Sequence, residues 1–225
     1  MEPVCLRPVA QRLAADTPLG EFLLVDDQTY GNIPGLIEEF VLKTRKDEAE
    51  TAHSVTVRTV LFTDLVGHTE MMSRLGDERG RAVLREHERI TREVLKANGG
   101  TEVKTIGDGF MASFGSVTKA VECAVALQRA FAERNSSAHP EALEGLSVRV
   151  GLNAGEPIEE DGDLFGTTVI LASGIAAKAE GGQILVADTV RGLCSGKGFL
   201  FADHGEFVAK GFEEPVRVYE VRWRD

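Results

Sequence analysis

Cysteine is scarce in this chain. Its 225 residues hold three, Cys5, Cys123 and Cys194, an odd number with no metal-ligand spacing. That excludes a disulfide framework and a thiolate metal cage, and it reads as free thiols in a reducing cytosol. Cys123 lies in the helical pattern of residues 120–127 and is expected to be buried as a small hydrophobe. Cations are outnumbered, 25 Lys and Arg against 36 Asp and Glu, for a formal net charge of −11. Such a surface repels nucleic-acid backbone, so DNA and RNA are excluded as partners. A small anionic nucleotide can bind only where local cations or metal ions outweigh that charge. No apolar run approaches membrane-spanning length. Residues 1–16 mix two arginines with acidic residues and do not read as a signal peptide, so a cytoplasmic location is expected. Internal repeats and low-complexity tracts are missing. The five histidines, His53, His68, His87, His139 and His204, show no ligand spacing, and no Ser/His/Asp triad arrangement emerges.

What remains is ordinary globular material, 43% hydrophobic and 27% charged. Residues 1–52 read as an N-terminal appendage or linker too small for a core of its own. Within it, residues 33–42 read as a short amphipathic helix after Pro34, and residues 43–51 as a charged linker or solvated helix end. Residues 53–225 read as one domain. A β-branched strand is predicted at 55–62 and a helix or helix pair at 70–98, closed by Gly99 and Gly100. Two short strands, 102–106 and 110–114, flank Gly107-Asp108-Gly109, a hairpin signature. A helix follows at 117–134, then a polar loop through Pro140, a strand at 146–153, a helix at 168–179 and a strand at 184–186. Residues 199–223 alternate short strands with turns at Gly205 and Gly211, with Tyr219 and Trp223 closing the sheet. This order is the split βαβ arrangement, an α+β fold with an antiparallel sheet covered by helices on one face.

Two carboxylates stand out. Asp64 ends the apolar stretch Val60-Leu61-Phe62-Thr63, and Asp108 follows Lys104-Thr105-Ile106-Gly107. Burying an unpaired charge at the end of an apolar strand is costly. Neighbouring glycines allow close approach of backbone to a ligand. Alone, Asp64 reads as a helix N-cap and Asp108 as a turn residue. Together, at two strand ends, they point to a hard-cation site that handles phosphates.

Five motifs in order then carry a resemblance. They are residues 62–69 (FTDLVGHT), 102–109 (EVKTIGDG), 149–155 (RVGLNAG), 163–166 (DLFG) and 181–186 (GGQILV). Over about residues 55–223 they resemble the catalytic domain of class III nucleotidyl (adenylate/guanylate) cyclases. The resemblance implies conversion of ATP or GTP to the cyclic 3′,5′-monophosphate and pyrophosphate, with two divalent ions, Mg or Mn. It implies sites at the interface of a head-to-tail homodimer, or of a heterodimer with a second cyclase chain. By it, Asp64 and Asp108 take the part of the metal-binding aspartates, and Lys104 and Asp163 that of the purine-reading pair. A lysine donates to adenine N1 and a carboxylate accepts from the N6 amine, so the pair favours ATP. Arg149 takes the part of a triphosphate-binding arginine, and Lys210 reaches for a phosphate too. Outside the resemblance, Lys104 reads as an exposed strand lysine, Asp163 as a turn residue, Arg149 as half of a cross-strand ion pair and Lys210 as a hairpin lysine. His68 reads as a loop or helix-start residue.

The pattern breaks at two positions. Where the family carries a ribose-orienting Asn and a charge-stabilising Arg, this chain has Ile170 and Gly174. Their spacing of four puts both on one helical face. Low intrinsic cyclase activity is the expectation. A nucleotide-binding dimerisation module, or the metal-donating half of a heterodimer, are the alternatives.

Overall fold

The structure, a computed structural model, describes residues 56–137 and 145–224. All of them lie in the second of two units, Val55–Asp225. The expected appendage at 1–52, its helix and its charged run lie outside the described residues, as does most of the polar loop after residue 137.

Strand β1 (Arg58–Leu65), β-branched and apolar from Thr59 to Thr63, is an inner strand of the sheet. Helix α1 (His68–Ala97) follows, broken at Gly76 (φ 73, ψ 170), so the expected helix pair is what forms. Its end is closed as the two glycines require. Gly99 takes a left-handed φ of 71, and the Gly100 N–H returns to the Leu95 carbonyl at 2.9 Å. Strands β2 (Thr101–Ile106) and β3 (Gly109–Phe114) form the expected hairpin around Gly107-Asp108. Helix α2 (Val117–Ser137) and strand β4 (Val148–Gly155) complete the split βαβ core, in the order β2-β3-β1-β4, antiparallel throughout.

The chain continues with a small hairpin, β5 (Ile158–Glu160) and β6 (Asp163–Phe165), and helix α3 (Thr167–Lys178). Then come β7 (Ile184–Ala187), the short α4 (Asp188–Leu193), β8 (Leu200–Phe207) and β9 (Val216–Arg222). These strands extend the sheet to seven, β2-β3-β1-β4-β7-β9-β8, with β4–β7 its parallel pair. The β5–β6 hairpin and α4 had no counterpart in the expected elements. Their runs of three to six residues are too short to show a period. Gly205 is not a turn. It sits inside β8 (φ 81), where the register with β9 shifts between Asp203 and Glu206, so it marks a bulge.

The core lies mainly between the sheet and α1 and α2. From β4, Val148, Val150, Leu152 and Ala154 point into it and meet Ala124, Leu127 and Phe131 of α2. Burying each large side chain of this kind stabilises the fold by about 1.5–3 kcal/mol. The expected helical layer on one face holds for α1 and α2. Helix α3 covers the opposite face, where Ala172 packs with Val60 and Met111, and Ile175 with Leu185 and Val218. Glycine makes that second layer possible. A Cβ on Gly151 of β4 would stand 2.2 Å from the Ala176 backbone nitrogen, so helix and strand touch backbone to backbone.

Candidate active site

The carboxylates come together at one end of the sheet. Asp64, near the end of β1, is the register partner of Arg149 on β4. Arg149 Nε donates to Asp64 Oδ2 at 3.0 Å, and Nη2 donates to the same oxygen. Its Nη1 donates to the Ala177 carbonyl at 3.2 Å, in the last turn of α3. Asp108 sits in the β2–β3 turn, where its Oδ2 accepts the Leu65 N–H at 3.2 Å, one residue past Asp64. Its Oδ1 lies 3.2 Å from His68 Nδ1, at the first residue of α1. Gly109 is what lets the turn close on β1. A Cβ there would meet the Thr63 carbonyl oxygen at 2.6 Å and Asp64 Oδ1 at 3.4 Å. Asp64 is not the N-cap of α1. That position belongs to Gly67, and no side chain caps it.

Burial holds the Asp108 carboxyl above the ordinary carboxylate range, and the charge of Asp64 pushes the same way. Backbone N–H groups and His68 pull against that rise. A carboxyl raised by burial and by a neighbouring negative charge is short of positive charge, which a divalent cation would supply. The donor set fits such ions, because Arg149 takes only Oδ2 of Asp64 and leaves Oδ1 towards Gly109. Among the described residues no cluster of three or more His, Cys, Asp or Glu forms a closed cage. Two carboxylates would leave most of a hard cation's oxygen positions to other ligands.

A pocket of about 190 Å³ opens beside the pair, lined by Phe62, Asp64, Ile106, Arg149, Ser173 and Ala177 among others. Drug-sized ligands occupy roughly 300–1,000 Å³, so this space is smaller than a whole nucleotide needs.

Lys104 and Asp163 also meet. Lys104 Nζ donates to Asp163 Oδ2 at 2.5 Å, joining β2 to β6. The Asp163 carboxyl is held below its usual range by that bond and by the Leu164 N–H. Phe165, exposed beside them, places its ring 5.5 Å from Lys104 Nζ. Lys210 is not brought to the aspartates. It lies in the β8–β9 connection, and its neighbour Ala209 packs against Gly174, 3.6 Å from where a Cβ would be. Ile170 is 51% exposed, and neither it nor Gly174 lines the pocket, which takes Ser173, Ala176 and Ala177 from α3. Sequence reasoning missed Phe165, Ser173 and the contact of His68 with Asp108. Phe165 was within the matched DLFG motif. Nothing in the sequence marks the other two.

The model of the adenylate and guanylate cyclase catalytic domain matches residues 49–222. The chain is 33% identical over 161 residues to putative adenylate cyclase 3 of Rhizobium meliloti, across 71% of this chain and 27% of that protein. It thus spans about a quarter of that relative's length. Among solved structures, an adenylate cyclase of Trypanosoma brucei in its monomeric state is 26% identical. It superposes with a TM-score of 0.65 over 76% of this chain and 91% of that one. The adenylate/guanylate cyclase/hydrolase of Silicibacter pomeroyi is 30% identical, with a TM-score of 0.62 over 73% and 95%. With the sheet order, the paired aspartates and a matched span of more than half its length, the chain belongs to the adenylate and guanylate cyclase catalytic domain family.

Proposed function

We propose that this domain converts ATP to 3′,5′-cyclic AMP and pyrophosphate, slowly on its own, as part of cyclic-nucleotide signalling in the cytoplasm. The observation that carries the reading is the convergence of Asp64 and Asp108, with Asp108 hydrogen-bonded to the backbone next to Asp64. Two divalent ions held there, Mg or Mn, would neutralise the triphosphate and lower the pKa of the attacking 3′-hydroxyl. Arg149 turns from Asp64 towards a phosphate oxygen, a bidentate contact its planar guanidinium favours. Lys104 donates to adenine N1 and Asp163 accepts from N6, and the ion pair they form without ligand, which keeps donor and acceptor together, supports that role. The domain names of relatives support cyclase chemistry; the Lys–Asp chemistry supports adenine over guanine.

The 190 Å³ pocket is too small for a nucleotide, which supports a site completed by a second chain. Ile170 and Gly174 are the reason for slow turnover. A lost transition-state donor costs roughly 10²–10³ in rate, and a phosphate-binding arginine roughly 10³–10⁵. A homodimer carries the same loss in both of its sites.

A second reading rests on one observation. Neither Ile170, which is exposed, nor Gly174, which faces Phe207 and Ala209, lines the chain's own pocket. That stripe serves a partner's aspartates, so this chain would be the metal-donating half of a heterodimer whose other chain supplies Asn and Arg. Purified protein assayed with Mn-ATP decides among these. Product that vanishes in Asp64→Ala supports the slow cyclase. Product only after mixing with a second cyclase chain supports the heterodimer. Metal-dependent ATP binding by calorimetry with no product under either condition leaves a nucleotide-binding module and overturns both.

A further inference from the structure

His68 opens α1 directly above the β2–β3 turn. Its Nδ1 is 3.2 Å from Asp108 Oδ1, while the other carboxylate oxygen accepts the Leu65 N–H at 3.2 Å. Asp108 is thus gripped from both sides, once by the β1 backbone and once by an imidazole. The remaining ring nitrogen, Nε2, is buried without a hydrogen-bond partner. The side chain is 29% exposed, and among the described residues its polar contact is the carboxylate. Nothing caps α1 by side chain, since its N-cap is Gly67 in the left-handed region (φ 74). His68 is not there to satisfy the helix end. A buried polar atom left unpaired is destabilising, and a leucine or phenylalanine at this position would avoid that cost.

We infer that His68 is a positioning residue for the cation site: its Nδ1–H orients the Asp108 carboxylate towards Asp64. This inference rests on the reading of Asp64 and Asp108 as metal ligands. The donor works at either charge state of the ring, because Nδ1 carries a hydrogen in the imidazolium and in one neutral tautomer. With one oxygen on the Leu65 N–H and the other 3.2 Å from the ring, Asp108 is held towards one orientation, and less conformational freedom is lost when a cation binds. Residues that orient ligands in this way change metal affinity by 10–100-fold when removed.

The test uses the full chain and Mn²⁺ alone, without nucleotide or turnover, with free Mn²⁺ counted by electron paramagnetic resonance. His68→Phe keeps the ring volume and removes the donor. His68→Asn places an amide nitrogen where Nδ1 stands. Asp108→Ala is the reference for loss of the site, and a thermal melt verifies that each variant is folded. The expected result is an affinity about tenfold weaker in His68→Phe, recovered to within threefold in His68→Asn, and lost in Asp108→Ala. Wild-type affinity in His68→Phe, with loss in Asp108→Ala, overturns the role of His68 and leaves the metal reading intact. Wild-type affinity in Asp108→Ala overturns the metal reading itself. An Asn variant as weak as the Phe variant also overturns the inference, because the donated hydrogen bond is then not what matters.

Discussion

Lys104 and Asp163 stand 59 residues apart in the chain and 2.5 Å apart in the fold, Nζ to Oδ2. The contact joins an edge strand of the main sheet to a separate two-stranded hairpin. Leu164 of the hairpin supports that docking, buried in one cluster with Val60, Met111 and Ala172 to which Val103 of β2 also packs, and the two charged side chains are partly exposed. An exposed, solvent-screened ion pair adds little to stability, so it does not hold the fold together. Its value is the donor and acceptor that it sets side by side.

Exchange of those two groups should invert the purine preference. Guanine offers a donor at N1 and an acceptor at O6, so Lys104→Glu with Asp163→Asn presents the matching pair. ATP turnover in the double variant should fall by about 10²-fold or more, with GTP preferred, because unmatched polar groups at a purine edge reject the wrong base strongly. Competition assays with both nucleotides measure the ratio of kcat/KM. A ratio that stays as in the wild type means the pair does not touch the base.

Restoring Ile170→Asn and Gly174→Arg together should raise the rate of cyclic AMP formation by a factor of roughly 10²–10⁵. The structure leaves room for it. Ile170 is exposed, and a Cβ on Gly174 makes only ordinary contact with Ala209 and Phe207, at 3.6–4.0 Å. Initial rates with Mn-ATP are the measurement. No gain in a folded double variant would mean that this stripe of α3 faces no reacting phosphate.

Much of this was legible in the sequence, for physical reasons. The helices and central strands carry long periods, and Gly99-Gly100 and Gly107-Asp108 are turn signals that bind the backbone to one conformation. The aspartates were visible because carboxylates at the ends of apolar strands have no structural excuse. Other features were not visible because they depend on distant partners. Arg149 reads equally as a salt-bridge residue and as a phosphate ligand, and it does form a cross-strand ion pair with Asp64. The side on which α3 packs follows from Gly151, whose meaning appears only when Ala176 lies against it. The contact of His68 with Asp108 spans forty residues and leaves no pattern in either segment.

His87 makes stability depend on acid. The ring is 0% exposed, neither nitrogen has a hydrogen-bond partner, and it stacks on Phe131 at 5.4 Å between centroids. Burial pushes its pKa down to about 4. The unfolded chain takes up this proton near pH ~6.5, and the fold refuses it until about pH 4. Above pH ~6.5 both states are neutral and nothing changes. Between those values the unfolded state binds more protons, so stability falls as pH falls, by about 2 kcal/mol at pH 5. In His87→Leu that part of the loss should disappear. Denaturant unfolding at pH 7.5 and pH 5 measures it, as the difference between the two proteins' pH dependences. Equal dependences mean that His87 is reached by water.

The close seating of α3 on β4 should be the least forgiving contact in the domain. In Gly151→Ala the new methyl would meet backbone atoms of Ala176 at 2.2 and 2.5 Å, and backbone cannot rotate away as a flexible side chain can. The helix must move, and overpacking of this kind costs about 1–3 kcal/mol or more. Movement of α3 also shifts the Ala177 carbonyl that steadies Arg149, so Mn-dependent nucleotide affinity should drop along with stability. Gly174→Ala, on the same helix, is the control. Its methyl has room, and alanine is about 1 kcal/mol more favourable than glycine inside a helix, so this variant should be stabilised. Opposite signs of the two alanine substitutions in denaturant unfolding are the expected outcome. A Gly151→Ala protein as stable as the wild type would mean that α3 does not rest on β4 as described.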